Sequence, residues 1–421
     1  MTGAARAVQR TYLLLTLLST LAASFIWGIN TLFLLDAGLN NTEAFTANAF
    51  FTAGEMLFEI PTGVVADTWG RRTSYLLGAA TLLLSTLLYL LMWKLRAPLW
   101  CWAGSSMLLG LGFTFFSGAT EAWLVDALAF SGYKGQLDTV LARGQIVTGS
   151  AMLVGTIAGG YIAQWTNLGV PYVIRAVLLG LTLVAAAVWM QDLGFAPERS
   201  RGVLVEVRSV LRASLDYGFR NPPVRWLMLA GLCSGGVGIY GFYAAQPFLL
   251  QLYGDSTAFG VAGISAAIVA GAQIASGVAA PHVRKLFKLR TSVILFGGTV
   301  SALALWMMSN IASFESAIVV LSIWSFTFWI GMPMRQSYLN GIIPSSQRAT
   351  VLSFDNLMAA AGGVVAQPAL GRVADVSGYP FTYLVSAAVQ LTSLPFIALA
   401  RRAHAPSDPI EVEPPDADAR L

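Results

Sequence analysis

Long apolar runs separated by short polar turns dominate this chain. Runs of about 20 residues, the length a helix needs to cross a bilayer core, fall at 12–35, 44–65, 74–94, 99–129, 140–165, 171–191, 224–252, 257–280, 291–311, 316–342, 349–371 and 379–400. The pattern predicts an all-α membrane protein with twelve transmembrane helices. Several runs exceed the minimum span, which predicts tilt or extension beyond the bilayer. The first run is too long for a signal peptide and no small-residue cleavage site follows it, so it reads as the first helix.

The polar segments divide the chain. Residues 1–191 carry six apolar runs and 224–402 carry six more. Between them, 192–223 is a polar linker holding Arg199, Arg201, Arg208, Arg212 and Arg220. Within it, Gly202 to Tyr217 reads as an amphipathic helix with Val203, Val207, Val210 and Leu211 on one face, lying on the inner membrane surface. The tail, 403–421, is rich in Pro, Asp and Glu and reads as disordered. Basic loops set the orientation. With the N-terminus in the cytoplasm, Arg6, Arg10, Arg71, Arg72, Lys134, Arg143, the linker arginines, Arg225, the cluster from Arg284 to Arg290, Arg348, Arg401, Arg402 and Arg420 all fall inside. Only Lys94, Arg96, Arg175 and Arg372 fall outside, and Arg335 lies within a helix. Both termini are therefore expected in the cytoplasm and the chain in a plasma or inner membrane.

Composition agrees with a bilayer. Hydrophobic residues make up 56% and charged residues 11%, against roughly a quarter charged in soluble domains; mean hydropathy is +0.67. A pI near 9.1 would suit a nucleic-acid binder. Here the basic residues sit in short loops and act as topology signals, so no nucleic-acid partner is expected. Cys101 and Cys233 lie in or beside apolar runs, which argues against a disulfide framework. His282 and His404 make no metal cluster.

The turn between the second and third runs reads GVVADTWGRR, Gly63 to Arg72. Gly63 and Gly70 are expected to allow close backbone approach and a tight turn. Asp67 is an anion at a helix end, and Arg71 and Arg72 are cations that hold the loop on the cytoplasmic side. The spacing G-x-x-x-D-x-x-G-R-R resembles the signature loop between helices 2 and 3 of the major facilitator superfamily of transporters. A repeat accompanies it. PYVIRA at 171–176 and FTYLVSA at 381–387 occupy matching places, Gly160 to Ala176 spaces as Gly371 to Ala387, and Gln164 falls on Asp375. The resemblance spans about residues 10 to 402 and implies two pseudo-symmetric six-helix halves around a central cavity, with the solute site between them. Efflux-type, bacterial members are the subgroup it suggests. The second half departs from the signature: GVAAPHVRKLFKLR, Gly277 to Arg290, has Pro281 where the Asp should be. A related string, GRVADVSG, appears instead at Gly371 to Gly378.

Charges inside apolar runs are the candidate chemistry. Glu55 and Glu59 are one turn apart on one helix face, with Glu55 roughly 17 Å from the helix start at about 1.5 Å per residue. An ionised side chain at such depth costs about 3 kcal/mol or more. Either acid could carry protons; either could instead be a structural acid bonded to a hydroxyl or carbonyl, and Glu59, beside Pro61, is the better structural candidate. Glu121 and Arg335 stand at nearly equivalent repeat positions. They could form a gate, or Arg335 could bind an anionic solute, or it could pair with Asp355. Asp126, about 140° round the helix from Glu121, is expected to meet Arg71, Arg72 or Arg143, or else to be an ordinary solvated helix end. In the resembled family such loop charges lock the outward-facing form.

Asn30, Trp27, Tyr240, Tyr243, Gln246, Trp324, Phe328 and Trp329 supply aromatics and sparse amides, suited to an aromatic or amphipathic solute; lipid-facing aromatics are the competing reading for Trp324. Trp100 and Trp102 read as interfacial anchors. GTIAGG, Gly155 to Gly160, has Thr156 where related exporters carry Pro, and small residues there also serve helix packing. Helix 4 lacks the cation that many proton antiporters of the family carry. There is no phosphate loop and no catalytic triad. The expected function is a monomeric, non-enzymatic secondary transporter, exporting small organic compounds by proton exchange with no cofactor beyond the gradient. Uptake by proton symport, and a non-transporting scaffold or sensor on the same fold, are the alternatives.

Overall fold

Away from water only a helix or a closed barrel satisfies its own backbone, so apolar runs of this length become helices. In the computed structural model, residues 3–117, 119–195, 197, 202–344 and 347–410 are described. Arg199, Arg201, Arg420, Gly118 and the tail 411–421 lie outside them. The helices are α1 Gly3–Trp27, α2 Asn30–Asp36, α3 Asn41–Trp69, α4 Arg71–Leu95, α5 Leu99–Phe116, α6 Ala119–Phe130 and α7 Leu137–Trp165. They continue as α8 Gly169–Trp189, α9 Val203–Ala213, α10 Pro222–Tyr253, α11 Phe259–Val283, α12 Arg290–Met308, α13 Phe314–Asn340 and α14 Arg348–Arg402. Among the described residues, eleven helices are long and apolar enough to cross a membrane, with α5 and α6 counted together.

The helices differ from the apolar runs at three places. The first run breaks at Gly28 and Ile29, between α1 and α2. A side chain at Gly28 would come within 3.1 Å of the Gly263 Cα, so close approach of α11 selects glycine there. The fourth run breaks after Phe116. The last two runs join as α14, whose apolar stretch Thr350–Arg402 has 53 residues. At 1.5 Å per residue that is about 80 Å, more than twice a core of about 30 Å. Gly378 interrupts it with φ 78° and ψ 170°, a backbone conformation that glycine adopts without Cβ strain.

Two compact units form, and they divide the chain at other points than the halves read from the sequence. The first comprises Met1–Arg208, Ile239–Ala270 and Gly363–Tyr379; the second comprises Ser209–Gly238, Gly271–Gly362 and Pro380–Leu421. In the first, α3 packs on α5, α1 on α7 and α8, and α4 on α5 and α8. Small residues set these contacts. A methyl at Gly54 would come within 2.6 Å of the Met107 carbonyl, and one at Gly110 within 2.7 Å of the Glu55 amide nitrogen. Gly155 and Gly159 of the GTIAGG string face Ser24 and Phe25 of α1, which is a packing role. Trp102, expected at an interface, is fully buried: its ring meets Tyr89 edge-on at 5.1 Å, and its indole N–H donates to the Ala97 carbonyl. Trp100 is exposed as expected.

The amphipathic segment of the linker forms α9, followed by a wide π-type turn over Ser214–Phe219. Val207 and Val210 are partly buried, and Leu211 is exposed. Residues 403–410, expected to be disordered, are folded against the second unit. Asp408 is buried and accepts from the Thr291 amide at 2.9 Å and its hydroxyl at 2.8 Å, a carboxylate cap on the N-terminus of α12. Ser407 donates to the Tyr338 carbonyl at 2.7 Å, and the Ile410 amide donates to the Lys288 carbonyl at 3.0 Å. Composition alone hid this, because two side chains supply the docking.

Asp408→Ala removes both cap bonds and a favourable charge at a helix end, worth about 1–2 kcal/mol in comparable caps. Hydrogen exchange by mass spectrometry should show residues 404–410 and the first turn of α12 losing protection while α3 and α5 keep theirs. Unchanged exchange at 404–410 would contradict the assignment.

Candidate functional site

Inside the first unit, a cavity of about 320 Å³ is lined by Trp27 of α1, Asn30 of α2, Asn48, Phe51 and Glu55 of α3, Tyr89 of α4, Leu109 and Phe113 of α5, Arg175 of α8, and Tyr243 of α10, with Ala23 and Ile26. That volume falls at the lower end of the range typical of small-molecule sites. Most of its walls are aromatic or aliphatic, and its polar groups are few.

Glu55 sits at the middle of α3, where Gly110 lets α5 approach the backbone closely. Its carboxyl is partly buried and opens on the cavity, and among the described residues it has no hydrogen bond or ion pair. Arg175 is 1% exposed. Its Nε donates to the Thr86 hydroxyl at 3.0 Å and its Nη1 to the Ala22 carbonyl at 3.0 Å, while its Nη2 has no partner. Its guanidinium also lies 5.8 Å from the centre of the Phe113 ring. No carboxylate among the described residues pairs with it. Beside it runs an amide chain: the Tyr172 hydroxyl donates to Asn30 Oδ1 at 2.9 Å, and Asn30 Nδ2 donates to Asn48 Oδ1 at 2.9 Å. Asn48 Nδ2 is buried without a partner. Tyr172 is held by stacking on Phe33, with ring centres 3.9 Å apart.

The orientation count puts Arg175 on the outer side, near the start of the sixth apolar run; in the structure it is a buried residue of α8. The signal was present, since PYVIRAVLLG places it inside the sixth apolar run, and an ionisable residue within such a run reads as functional by default. Asn48 and Tyr89 gave no comparable signal.

Of the other sequence candidates, Asn30 and Tyr243 line the cavity, while Tyr240 and Gln246 do not. Gln246 is buried and spans the break between α1 and α2: its Oε1 accepts from the Thr31 amide at 3.0 Å, and its Nε2 donates to the Trp27 carbonyl at 2.9 Å. The broken helix leaves those backbone groups unpaired, and the amide satisfies both. Tyr240 is fully buried with its ring 4.6 Å from Phe45. Glu59 accepts from the Ser117 hydroxyl at 2.9 Å, as the structural reading of that acid expects.

Arg335 forms a bidentate pair with Asp355, its Nε donating to Oδ2 at 3.1 Å and its Nη2 to Oδ1, with both side chains largely buried. A bidentate carboxylate satisfies the guanidinium fork, and Gly231 supplies the space beside it. Arg335 lines a separate cavity of about 70 Å³ in the second unit. Glu121 is exposed and belongs to the first unit.

In the signature loop, Asp67 pairs with Arg71 one turn on. Asp126 takes neither Arg71 nor Arg72. The acid that organises the loop is Asp192, whose Oδ1 accepts from the Arg72 amide at 2.8 Å at the N-terminus of α4, while Arg72 Nη2 donates to the Ala187 carbonyl at 2.7 Å. A carboxylate on free helix amides is favoured by the dipole. The two glycines differ. Gly70 has φ 107°, and a side chain there would collide with the Asp192 carboxylate; Gly63 is inside α3 with open space around it.

At the end of this unit that carries the α2–α3 turn, two side chains bind helix N-termini. Asp375 accepts from the Asn41 amide at 2.9 Å and the Thr42 amide at 2.8 Å; Gln164 accepts from the Gly260 amide at 2.9 Å. These are the two residues that the repeat register superposes, doing the same task on α3 and α11.

The loop geometry separates the two glycines experimentally. Gly70→Ala should lower thermal stability, because it places a Cβ in a strained region costing about 1–3 kcal/mol and displaces Asp192. Gly63→Ala should be neutral or gain roughly 0.5–1 kcal/mol of helix propensity. Melting curves of the two purified variants test this; equal melting temperatures would contradict it.

The family model described as Major Facilitator Superfamily matches residues 12–367. No curated protein matches the chain by sequence. Among solved structures, the chain is similar to the nucleoside transporter NupG at 10% identity and a TM-score of 0.77, covering 93% of this chain and 98% of that one. It is similar to a POT family transporter in complex with a thioalcohol-conjugated peptide at 13% identity and a TM-score of 0.71, covering 94% and 96%. It is also similar to a human organic anion transporter at 15% identity and a TM-score of 0.63, covering 94% and 100%. At such identities the likeness is one of fold. With the family match running through most of the helical chain, and the fold shared along the whole of those transporters, this chain belongs to the major facilitator superfamily and is a multi-pass membrane protein of the transporter fold.

Proposed function

We propose that the protein is a proton-coupled secondary transporter that moves a small aromatic or amphipathic organic compound by alternating access. One observation carries the reading: the Glu55 carboxyl, midway along a membrane-length helix, opens without a partner on a cavity walled by aromatic rings. A group so placed can take up and release a proton as access changes, and its ionised form is disfavoured unless water or a cation reaches it. A scaffold or sensor on this fold needs neither a carboxyl nor an arginine facing a cavity. The solved relatives are named for nucleosides, peptides and organic anions, which supports a small organic solute.

In this reading α14 crosses the membrane twice, giving twelve crossings in two repeat-related halves, and the protein works as a monomer. Both termini lie in the cytoplasm of a cell with this protein in its inner or plasma membrane, as the basic loops require. Asp375 and Gln164 then hold the outer side shut, and the signature loop with Asp192 lies on the inner side. Exchange of solute against protons, and so efflux, follows if solute and proton contend for the cavity. Cotransport is the second reading, and the cation Arg175 in the same cavity favours it for an acidic solute.

The test is reconstitution in proteoliposomes with a compound panel and an imposed pH gradient. Glu55→Gln should abolish gradient-driven accumulation, by about tenfold or more given that tenfold corresponds to only about 1.4 kcal/mol, while downhill solute exchange continues. Glu59→Gln should keep accumulation. Normal accumulation by Glu55→Gln would remove Glu55 as the proton carrier.

A further inference from the structure

We infer that Arg175, with Asn48 on the wall of the same cavity, is the dock for an oxyanionic group, a carboxylate in the first instance, on the aromatic solute of this cavity, and that Glu55 is neutral when the dock is filled. The inference rests on the transport reading and names its substrate class.

The first argument is charge. A guanidinium in an apolar interior is very costly unless an anion meets it. Arg175 has two neutral acceptors, Thr86 and the Ala22 carbonyl, and no carboxylate among the described residues. Arg335, another arginine within a span, has its acid, Asp355, in bidentate contact. The contrast shows what is missing at Arg175. The second argument is hydrogen bonding. Buried donors are normally satisfied. Here two donors from separate helices that line one cavity, Arg175 Nη2 and Asn48 Nδ2, lack acceptors. Two unmet donors ask for oxygens rather than for another donor. The third is shape: Phe51, Phe113 and Tyr243 line the same space, so the body of the solute is a ring or a similarly flat apolar group.

The charge count then couples solute to proton. The ionisable groups at the cavity are Glu55 on α3, Arg175 on α8, and the phenols Tyr89, Tyr172 and Tyr243; Glu59, a turn from Glu55, is bonded to Ser117. With the phenols neutral, ionised Glu55 and Arg175 balance when the cavity is empty. An entering oxyanion leaves one uncompensated negative charge, and a proton on Glu55 removes it. Solute anion and proton therefore occupy the cavity together, which selects cotransport from the two coupling modes.

Binding to the full-length protein in nanodiscs tests this by calorimetry, using benzoate and indole-3-acetate against their neutral amides, benzamide and indole-3-acetamide. The acids should bind saturably and the amides more weakly by on the order of 30-fold, as for truncation of a buried charge pair. Arg175→Gln should abolish that preference. Acid binding should tighten as pH falls from about 8 to about 6, where carboxylic probes stay ionised, and Glu55→Gln should bind tightly and flatten this profile. The wild-type acid-to-amide comparison needs no variant, so misfolding of Arg175→Gln does not shelter the inference. Equal binding of acids and amides, a preference that survives Arg175→Gln, or no binding of either acid would overturn it. Gradient-driven flux of neutral compounds alongside any of these results would leave the transport reading standing; accumulation that survives Glu55→Gln would fail that reading separately.

Discussion

An apolar interior forces every polar group to find a partner inside the protein, and most of this structure follows from that constraint. Helices meet it for the backbone. Where a helix breaks, a side chain must step in, and Gln246 does so at the α1–α2 break by serving one donor and one acceptor. Arg335 meets it through Asp355. Other buried hydroxyls and amides also lack a partner, but Glu55, Arg175 Nη2 and Asn48 Nδ2 belong to residues that line one cavity and include an acid and a guanidinium. Unmet polarity gathered at a cavity is how a binding site differs from a packing defect.

Close helix contact is what gathers those residues. In lipid, helices gain little from hydrophobic burial against one another, so dispersion between closely approaching backbones carries the packing. Gly54 and Gly110 bring α3 and α5 together beside Glu55, and Gly155 and Gly159 bring α7 against α1. The aromatic cluster of Phe33, Tyr89, Trp102 and Tyr172 fills the neighbouring space and holds Tyr172 against Asn30. A larger residue at Gly110 would push on the Glu55 backbone itself. The site and the packing are therefore one arrangement.

Helix N-termini recur as the places where polar side chains fasten elements. Asp192 binds α4, Asp408 binds α12, Asp375 binds α3 and Gln164 binds α11. Each satisfies amides that the helix leaves free, and the acids gain from the dipole. Such contacts are compact and made of few bonds, so they can break and re-form without disturbing a core.

The apolar runs located nearly every helix, because period and length alone decide which segments can bury themselves in a bilayer. The signature string located the loop and the family, since its spacing is local. Glu55 was legible too, as a charge that such a run does not tolerate without reason. Other features were not legible, and the cause is the same in each case. Asp192 binds the amide of Arg72, far away in sequence; Gln246 closes a break in α1 and α2; residues 404–410 dock because Asp408 meets Thr291. Arg335 meets Asp355, twenty residues on, and the two carboxylate oxygens fill the guanidinium fork. Arg175 stood in the text of the sequence, but its lack of an acid among the described residues became visible only once the six other helices that line its cavity were placed around it. The sequence by itself determined which segments are helical, that they belong in a membrane and which family they form, because hydrophobic length and local spacing are properties of a single segment. Only the tertiary structure decided which polar groups are paired and which are left without a partner, because pairing depends on distances between segments that no single segment encodes.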